Sequence, residues 1–170
     1  ILTGAADYNK MQKRGREGAT LLYAPNKQTP YSGWVKEMYS NGQVESLWKV
    51  KNGKEDGEFA WWHGNGKITE RGAWKDGKLE GMLRGWDKDG RKIKEQNYKD
   101  GLLIDSATWK PNGERGSEVI DGNGLSVSWH DNGQKSGETH YKNGKMEGVS
   151  RFWNVSGKLI REATYKNGEY

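Results

Sequence analysis

The side chains best equipped for chemistry in this sequence are three histidines and a recurring set of carboxylates, and their placement argues against a reaction centre. His63 and His130 each follow a tryptophan, in a slot that Asp87, Lys110 and Asn154 fill elsewhere, and His140 stands alone. They read as turn-flank residues, without the paired spacing of metal ligands. Glu70, Glu95, Glu118, Glu138 and Glu162 recur with an internal repeat. A catalytic site needs unlike groups converging in a pocket, which a periodic flat array does not supply. There is no Gly-x-Ser-x-Gly, phosphate-binding loop or His-Glu-x-x-His. With no cysteine in the chain, disulfides, thiolate metal sites and thiol nucleophiles are excluded together. The chain therefore reads as a non-enzyme, with no catalytic residue, cofactor or metal site assigned. Asn154-Val155-Ser156 matches a glycosylation sequon only as a by-product of a turn.

The remaining chemistry is aromatic. Only 32% of the 170 residues are hydrophobic, yet nine are Trp and eight Tyr. Mean hydropathy is −1.10, which leans toward disorder, but disordered chains are poor in aromatics. Large rings bury much area each, so they can hold a thin structure with a shallow core. The net charge of +5 is spread along the chain and forms no block. The contiguous basic stripe that tracks nucleic acid is missing, which argues against that partner. No run approaches the roughly 20 apolar residues of a transmembrane helix.

The elements that must position these rings follow from the glycines. Twenty-five Gly is roughly twice average usage, and eleven of them fall in a rhythm of Asx-Gly pairs. The pairs are Asn41-Gly42, Asn52-Gly53, Asn65-Gly66, Asp76-Gly77, Asp89-Gly90, Asp100-Gly101, Asn112-Gly113, Asp121-Gly122, Asn132-Gly133, Asn143-Gly144 and Asn167-Gly168, with Ser156-Gly157 as a variant. Such pairs favour two-residue type I′ hairpin turns, whose central residues both need φ > 0. Spacings from Gly42 to Gly101 alternate between 11 and 13, giving a 24-residue unit with two reversals. The fold class expected is all-β: an elongated antiparallel hairpin meander in a single twisted sheet. Residues 21–170 form this domain, with an irregularity near 114–124, where the step shrinks to 23 and then 20. Residues 1–20 form an N-terminal segment, read as linker or partly disordered.

The two turn classes carry different flanks. Trp lies four residues before the first-class Gly, as Trp62, Trp86, Trp109, Trp129 and Trp153. An aromatic lies three before the second-class Gly, as Trp74, Tyr98, Tyr141 and Tyr165, and Gly57, Gly81 and Gly148 follow four after it. The pattern Trp-x-x-Asn-Gly-Lys, then Glu, then Tyr-Lys-Asn-Gly-Lys-x-x-Gly resembles the bacterial MORN-repeat variant of the YwqK-type antitoxin family. The resemblance covers residues 31–170 in about five and a half copies. It implies a MORN-like sheet and a protein partner, with toxin neutralisation as the family role.

Strand alternation puts one Trp per unit on a common face, so Trp62, Trp86, Trp109, Trp129 and Trp153 form a ladder with neighbours roughly 10 Å apart. This row is expected to pack as core against the second-class aromatics and strand glycines. If exposed, it is a surface for a glycan or a peptide. The opposite face, with Phe59, Trp61, Leu83 and Phe152 against Ser126, Ser128 and Ser150, is patchily apolar and suits a partner. Lys54, Lys67, Lys78, Arg91, Lys145 and Lys158 follow turn glycines, and line the sheet edges with charge that would suit solvent or an anionic membrane surface. The expectation is a binding protein, its partner another protein, with a glycan or membrane surface as the alternative. A leader or lipid anchor before Ile1 would make it an exported protein, and without one the compartment is the cytoplasm. Oligomeric state is not legible.

Overall fold

A computed structural model describes residues 2–16 and 20–170. Ile1, where a preceding leader would join, and residues 17–19 of the N-terminal segment lie outside the described residues. The N-terminal part holds β1 (Ala6–Asp7), β2 (Gln12–Arg14) and β3 (Leu21–Tyr23). The array follows as β4 (Gly33–Met38), β5 (Val44–Lys51), β6 (Lys54–Trp62), β7 (Ile68–Lys75), β8 (Lys78–Leu79), β9 (Gly81–Trp86) and β10 (Lys92–Lys99). It continues as β11 (Leu102–Trp109), β12 (Arg115–Ile120), β13 (Asn123–Trp129), β14 (Lys135–Lys142), β15 (Lys145–Met146), β16 (Gly148–Trp153) and β17 (Leu159–Tyr165). From β4 onward the strands pair antiparallel in chain order, the meander expected, with the short β8 and β15 pairing off this path to β7 and β14, while β1 adds to β4 in parallel and β2 pairs with β3 apart.

The turns differ in a way that dipeptides alone do not announce. In the second class both residues have positive φ, from Asn52 (50°) and Gly53 (81°) to Asn167 (52°) and Gly168 (87°), as a type I′ turn demands. In the first class only Gly does. There Gly42 N–H donates to Tyr39 O and Tyr39 N–H to Gln43 O (2.9 and 2.8 Å), and the strand register slips between Glu37 and Met38. This is a type I turn closed by a Gly bulge, a three-residue loop. The same bond pair recurs at residues 63–67, 87–91, 110–114, 130–134 and 154–158. The I′ expectation therefore holds for six reversals and is corrected for six. A side-chain acceptor accompanies this geometry in all six: Asn41, Asn65, Asn112 and Asn132 Oδ1 each accept the N–H two residues on, and in the other two turns Asp87 and Asn154 Oδ1 accept from Arg91 and Lys158 N–H.

The two geometries bend the sheet unequally. First-class hairpins pair along most of their strands, as Gly57↔Trp74 through Trp62↔Ile68 shows. Second-class hairpins open after the turn: β7 pairs with β8 at Trp74↔Leu79, then meets β9 only at Glu70↔Gly85 and Arg71↔Arg84. Gly57, Gly81 and Gly148 sit at these openings with φ of 116°, 73° and 79°. A Cβ at Gly81 or Gly148 would meet nothing within 4 Å. Those two glycines supply a left-handed backbone and do not mark a close approach.

Successive second-class turns touch. Gly77 N–H donates to Glu55 O (2.8 Å), Gly101 to Leu79 O (2.9 Å), Gly144 to Gly122 O (3.0 Å) and Gly168 to Met146 O (2.9 Å). Turns two strands apart in a flat sheet stand about 10 Å from each other, so the sheet curls along this edge. The stretch from β3 to β4 supplies the first turn with partners of the same kind: Gly53 donates to Tyr31 O and accepts from Leu22 N–H. Near 114–124 no strand is lost, but β12 pairs with β13 only at Val119↔Gly124 and Ile120↔Asn123.

The turn stack is testable. Gly133 (φ 83°) has open space around it, whereas a Cβ on Gly144 (φ 77°) would stand 2.9 Å from Leu103 O and Leu102 Cβ. Gly133→Ala should cost about 1–2 kcal/mol from the left-handed backbone alone. Gly144→Ala should cost clearly more in urea unfolding; equal losses would mean that the second-class turns do not pack on one another.

Candidate functional site

Cross-strand pairing identifies the inner face. Val35 lies opposite Trp48 and Trp48 opposite Phe59, which faces Gly72; further along, Leu83 pairs with Gln96, Gln96 with Ser106 and Ser106 with Val119. All but Gly72 are buried. A Cβ on Gly72 would fall 2.9 Å from Leu83 and 3.0 Å from Phe59, so here glycine does admit a ring. The apolar cluster is Leu22, Val35, Trp48, Val50, Phe59 and Leu83, with Tyr8, Met11, Tyr31, Trp74, Leu79 and Tyr98 against it. The core thus belongs to the second-class aromatics and the strand face of Val35, Trp48, Phe59 and Leu83, while the ladder tryptophans stand half-buried at the strand ends, so the expectation that the ladder forms the core is corrected. The patchiness read from the sequence is a gradient: rings dominate up to β9, then hydroxyl contacts take over, with Thr108 to Ser117 (2.8 Å) and Thr139 to Ser150 (2.7 Å).

At the aromatic end the inner face opens into a cleft of about 580 Å³. Tyr8, Tyr39, Trp48, Trp61, Trp62 and Trp74 supply its rings, and Glu37, Glu45, Glu55, Ser46, His63 and Thr69 its polar lining. Trp61 is 37% exposed. It is held by Phe59 (ring centroids 5.1 Å apart), which stacks on Trp74 at 3.9 Å. Ser46 Oγ is buried without a hydrogen-bond partner. Of these residues the sequence pointed to Trp62 as a ladder member, to Trp61 on the patchily apolar face suited to a partner, to Trp74 as a second-class aromatic and to His63 as a turn-flank residue. What went unread was that the doublet Trp61-Trp62 marks one place: the position before the ladder Trp holds Gly85, Thr108, Ser128 and Phe152 in other units.

The ladder residues Trp62, Trp86, Trp109, Trp129 and Trp153 are all half-buried. Each ends its strand just before a first-class turn, and four carry a cation over the ring: Arg71 on Trp86 (5.5 Å), Lys92 on Trp109 (4.1 Å), Lys110 on Trp129 (5.4 Å) and Lys135 on Trp153 (5.4 Å). Their carbonyls are also used. Tyr39 Oη donates to Trp62 O (2.7 Å), His63 Nε2 to Trp86 O (3.3 Å) and His130 Nε2 to Trp153 O (2.8 Å), so the turn-flank side chain of one unit ties to the next. His140 Nδ1 lies 3.3 Å from Val149 O. The histidines serve the sheet, and among the described residues no group of His, Asp and Glu converges as a cation site. The edge cations are partly engaged as well, with Arg91 paired to Asp87 and Asp89 and Lys67 donating to Asp89 O.

The repeating unit is therefore a first-class hairpin bounded by two I′ turns, with its Trp at the tip and its Tyr beside the boundary. Residues 123–143 and 146–167 match the MORN repeat variant. Each MORN-variant segment spans one such hairpin, β13–β14 and β15–β17. No match is found among curated proteins. Among solved structures, one chain of the crystal structure of the GtfA/B complex bound to UDP and GlcNAc superposes at a TM-score of 0.25 and 12% identity. The match covers 81% of this chain and 25% of that one, and it transfers nothing to the site.

In the MORN-variant hairpins and the units before them, the periodic glutamates have a structural use. Glu138 meets Lys135 (2.8 Å) and Arg151 (3.3 Å), Glu162 meets Arg151 (2.7 Å), Glu95 meets Arg84 (2.8 Å) and Lys92, and Glu70 pairs with Lys94. The Lys135 ammonium, with Arg151, holds the Glu138 carboxyl below the usual carboxylate range, and Arg84 does the same for Glu95. Burial alone would push Asp87 up, but donation from Arg91 and the Asp89 backbone keeps it low. A carboxyl with a depressed folded pKa stabilises the fold above its unfolded value of about 4, and that contribution fades as pH falls through the folded pKa. The urea midpoint should hold level from neutrality to about pH 5 and drop below about pH 4. Glu138→Gln should lower the neutral value and flatten the drop; an unchanged acid limb would remove Glu138 from this account.

Proposed function

We propose that this chain is a non-catalytic binding module that holds another protein against the inner face of its sheet, at the aromatic end. The observation that carries this reading is the cleft around Trp61. Elsewhere the periodic carboxylates are paired and four of the five ladder rings are covered on one side by cations. At the cleft an exposed indole, three carboxylates and a buried hydroxyl converge instead. A concave, ring-lined site of this volume with a few polar groups suits recognition. The likeness to the MORN repeat variant supports a repeat surface used for binding, and the resemblance to YwqK-type antitoxins makes a toxin one candidate partner. The glycan alternative places a sugar on the same indole.

A photo-crosslinking amino acid replacing Thr69, beside Trp61, should capture a discrete protein in cells that make this chain. The same group at Arg161, on β17 far from the cleft, should not. Capture at both positions alike, or binding to a glycan array without any protein adduct, would overturn the reading.

A further inference from the structure

We infer that the Trp61 cleft takes a basic side chain of the partner polypeptide, with arginine preferred over lysine. The inference rests on the proposal that a protein docks here, and assigns the chemistry of its anchor.

Charge is the first ground. Glu37, Glu45 and Glu55 line the cleft, and among the described residues none lies within ion-pair distance of a cation. The repeat glutamates Glu70, Glu95, Glu118, Glu138 and Glu162, by contrast, each meet a Lys or Arg. Three unpaired carboxylates on one cleft leave a local negative charge that a bound cation would offset. Ring geometry is the second. Trp61 offers an accessible indole, with Trp74 at 6.2 Å and a 55° interplanar angle, so a planar group resting on one ring meets the other obliquely. Indole is the best cation–π surface among side chains, and guanidinium sheds water more readily than ammonium and stacks flat. Ser46 is the third. Its buried Oγ has no partner, and it lines the space that an incoming N–H donor would enter. A neutral sugar could use the ring, the hydroxyl and the carboxylates as hydrogen-bond acceptors, but it would leave their negative charge uncompensated.

The chain already contains one small instance of the same recipe. Lys13 Nζ stands 5.0 Å over the Tyr8 ring, in the field of Glu55 and Glu37, at the side of the cleft where Tyr8 packs edge-on against Trp48 (5.2 Å). That lysine offsets only part of the carboxylate charge and leaves Trp61 uncovered. The cleft volume of about 580 Å³ admits one long side chain with its flanking backbone.

The test uses the intact chain and a blocked pentapeptide, Gly-Ser-Arg-Ser-Gly, against the same peptide with citrulline, the neutral isostere of arginine. The indole N–H resonances of Trp61 and Trp74 are followed by NMR. The arginine peptide should shift both signals saturably, with added salt weakening it, and citrulline should bind about tenfold more weakly or worse. Combined Glu37→Gln, Glu45→Gln and Glu55→Gln should lose a similar factor. Glu55→Gln alone, at an exposed position, should lose part of it with an unchanged urea midpoint. Equal binding of citrulline, full affinity in the carboxamide variants, or no shift at about 10 mM peptide would overturn the assignment. If the peptide fails while Thr69 crosslinking to a protein persists, the docking surface stands and the basic anchor falls. If the peptide binds and no protein crosslinks, the cleft is a basic-group site and the docking proposal falls.

Discussion

Backbone hydrogen bonds between successive I′ turns, from Gly53 through Gly77 and Gly101 to Gly168, hold together hairpins that are too thin to hold themselves. An isolated hairpin is marginal in water. Here each unit closes part of its own backbone on the preceding unit, two strands away, and the Asx residue of each turn adds a second tie. Asp76 N–H donates to Asp56 (3.2 Å), Asp100 to Glu80 (2.8 Å), Asn143 to Asn123 (3.2 Å) and Asn167 to Glu147 (2.8 Å). The positive φ that lets Asx and Gly turn tightly is also what aims those N–H groups outward along the edge. Turn geometry, curl and neighbour coupling are one constraint seen at three scales.

That constraint shapes where the apolar material goes. Once one edge is drawn together, the face holding Trp48, Phe59, Leu83 and Leu103 turns inward, and the ladder tryptophans are left at the opposite edge under the alkyl and charged ends of Lys and Arg. Mid-strand ion pairs such as Arg84 with Glu95 cover the other face. Exposed pairs of this kind are individually weak. Their service is to fill the surface of a sheet with few methyl groups to spare. The aromatic end departs from this economy, with more ring surface than the local sheet encloses, and that surplus forms the cleft.

Much of this was legible in the sequence. The twelve reversals, the 24-residue unit, the two turn classes and the weak unit near 114–124 all follow from glycine spacing, because left-handed backbone leaves a compositional mark. The choice between turn geometries was not legible from the Asx-Gly dipeptide, since Asn tolerates both signs of φ and the side-chain bonds that accompany the bulged turn run to residues beyond the dipeptide. The core face was misread because alternation says which residues share a face but not which face closes, and closure depends on turns that are distant in sequence. The cleft was hidden for a related reason. Trp61 departs from the repeat, while Glu37 and Glu45 come from other strands and Tyr8 from a helical turn of the N-terminal segment, brought beside it only by the fold.

The shortened unit shows what kind of change this architecture absorbs. Between Gly101 and Gly144 the strands contract, β12 and β13 keep only two paired residues, and yet Gly122 still donates to Ile104 O and accepts from Gly144. The middle of this blade is short while its hinge is intact. Lineages of such chains are free to shorten, lengthen or duplicate blades, and so to change the width of a recognition surface, as long as each hinge still meets the one before it.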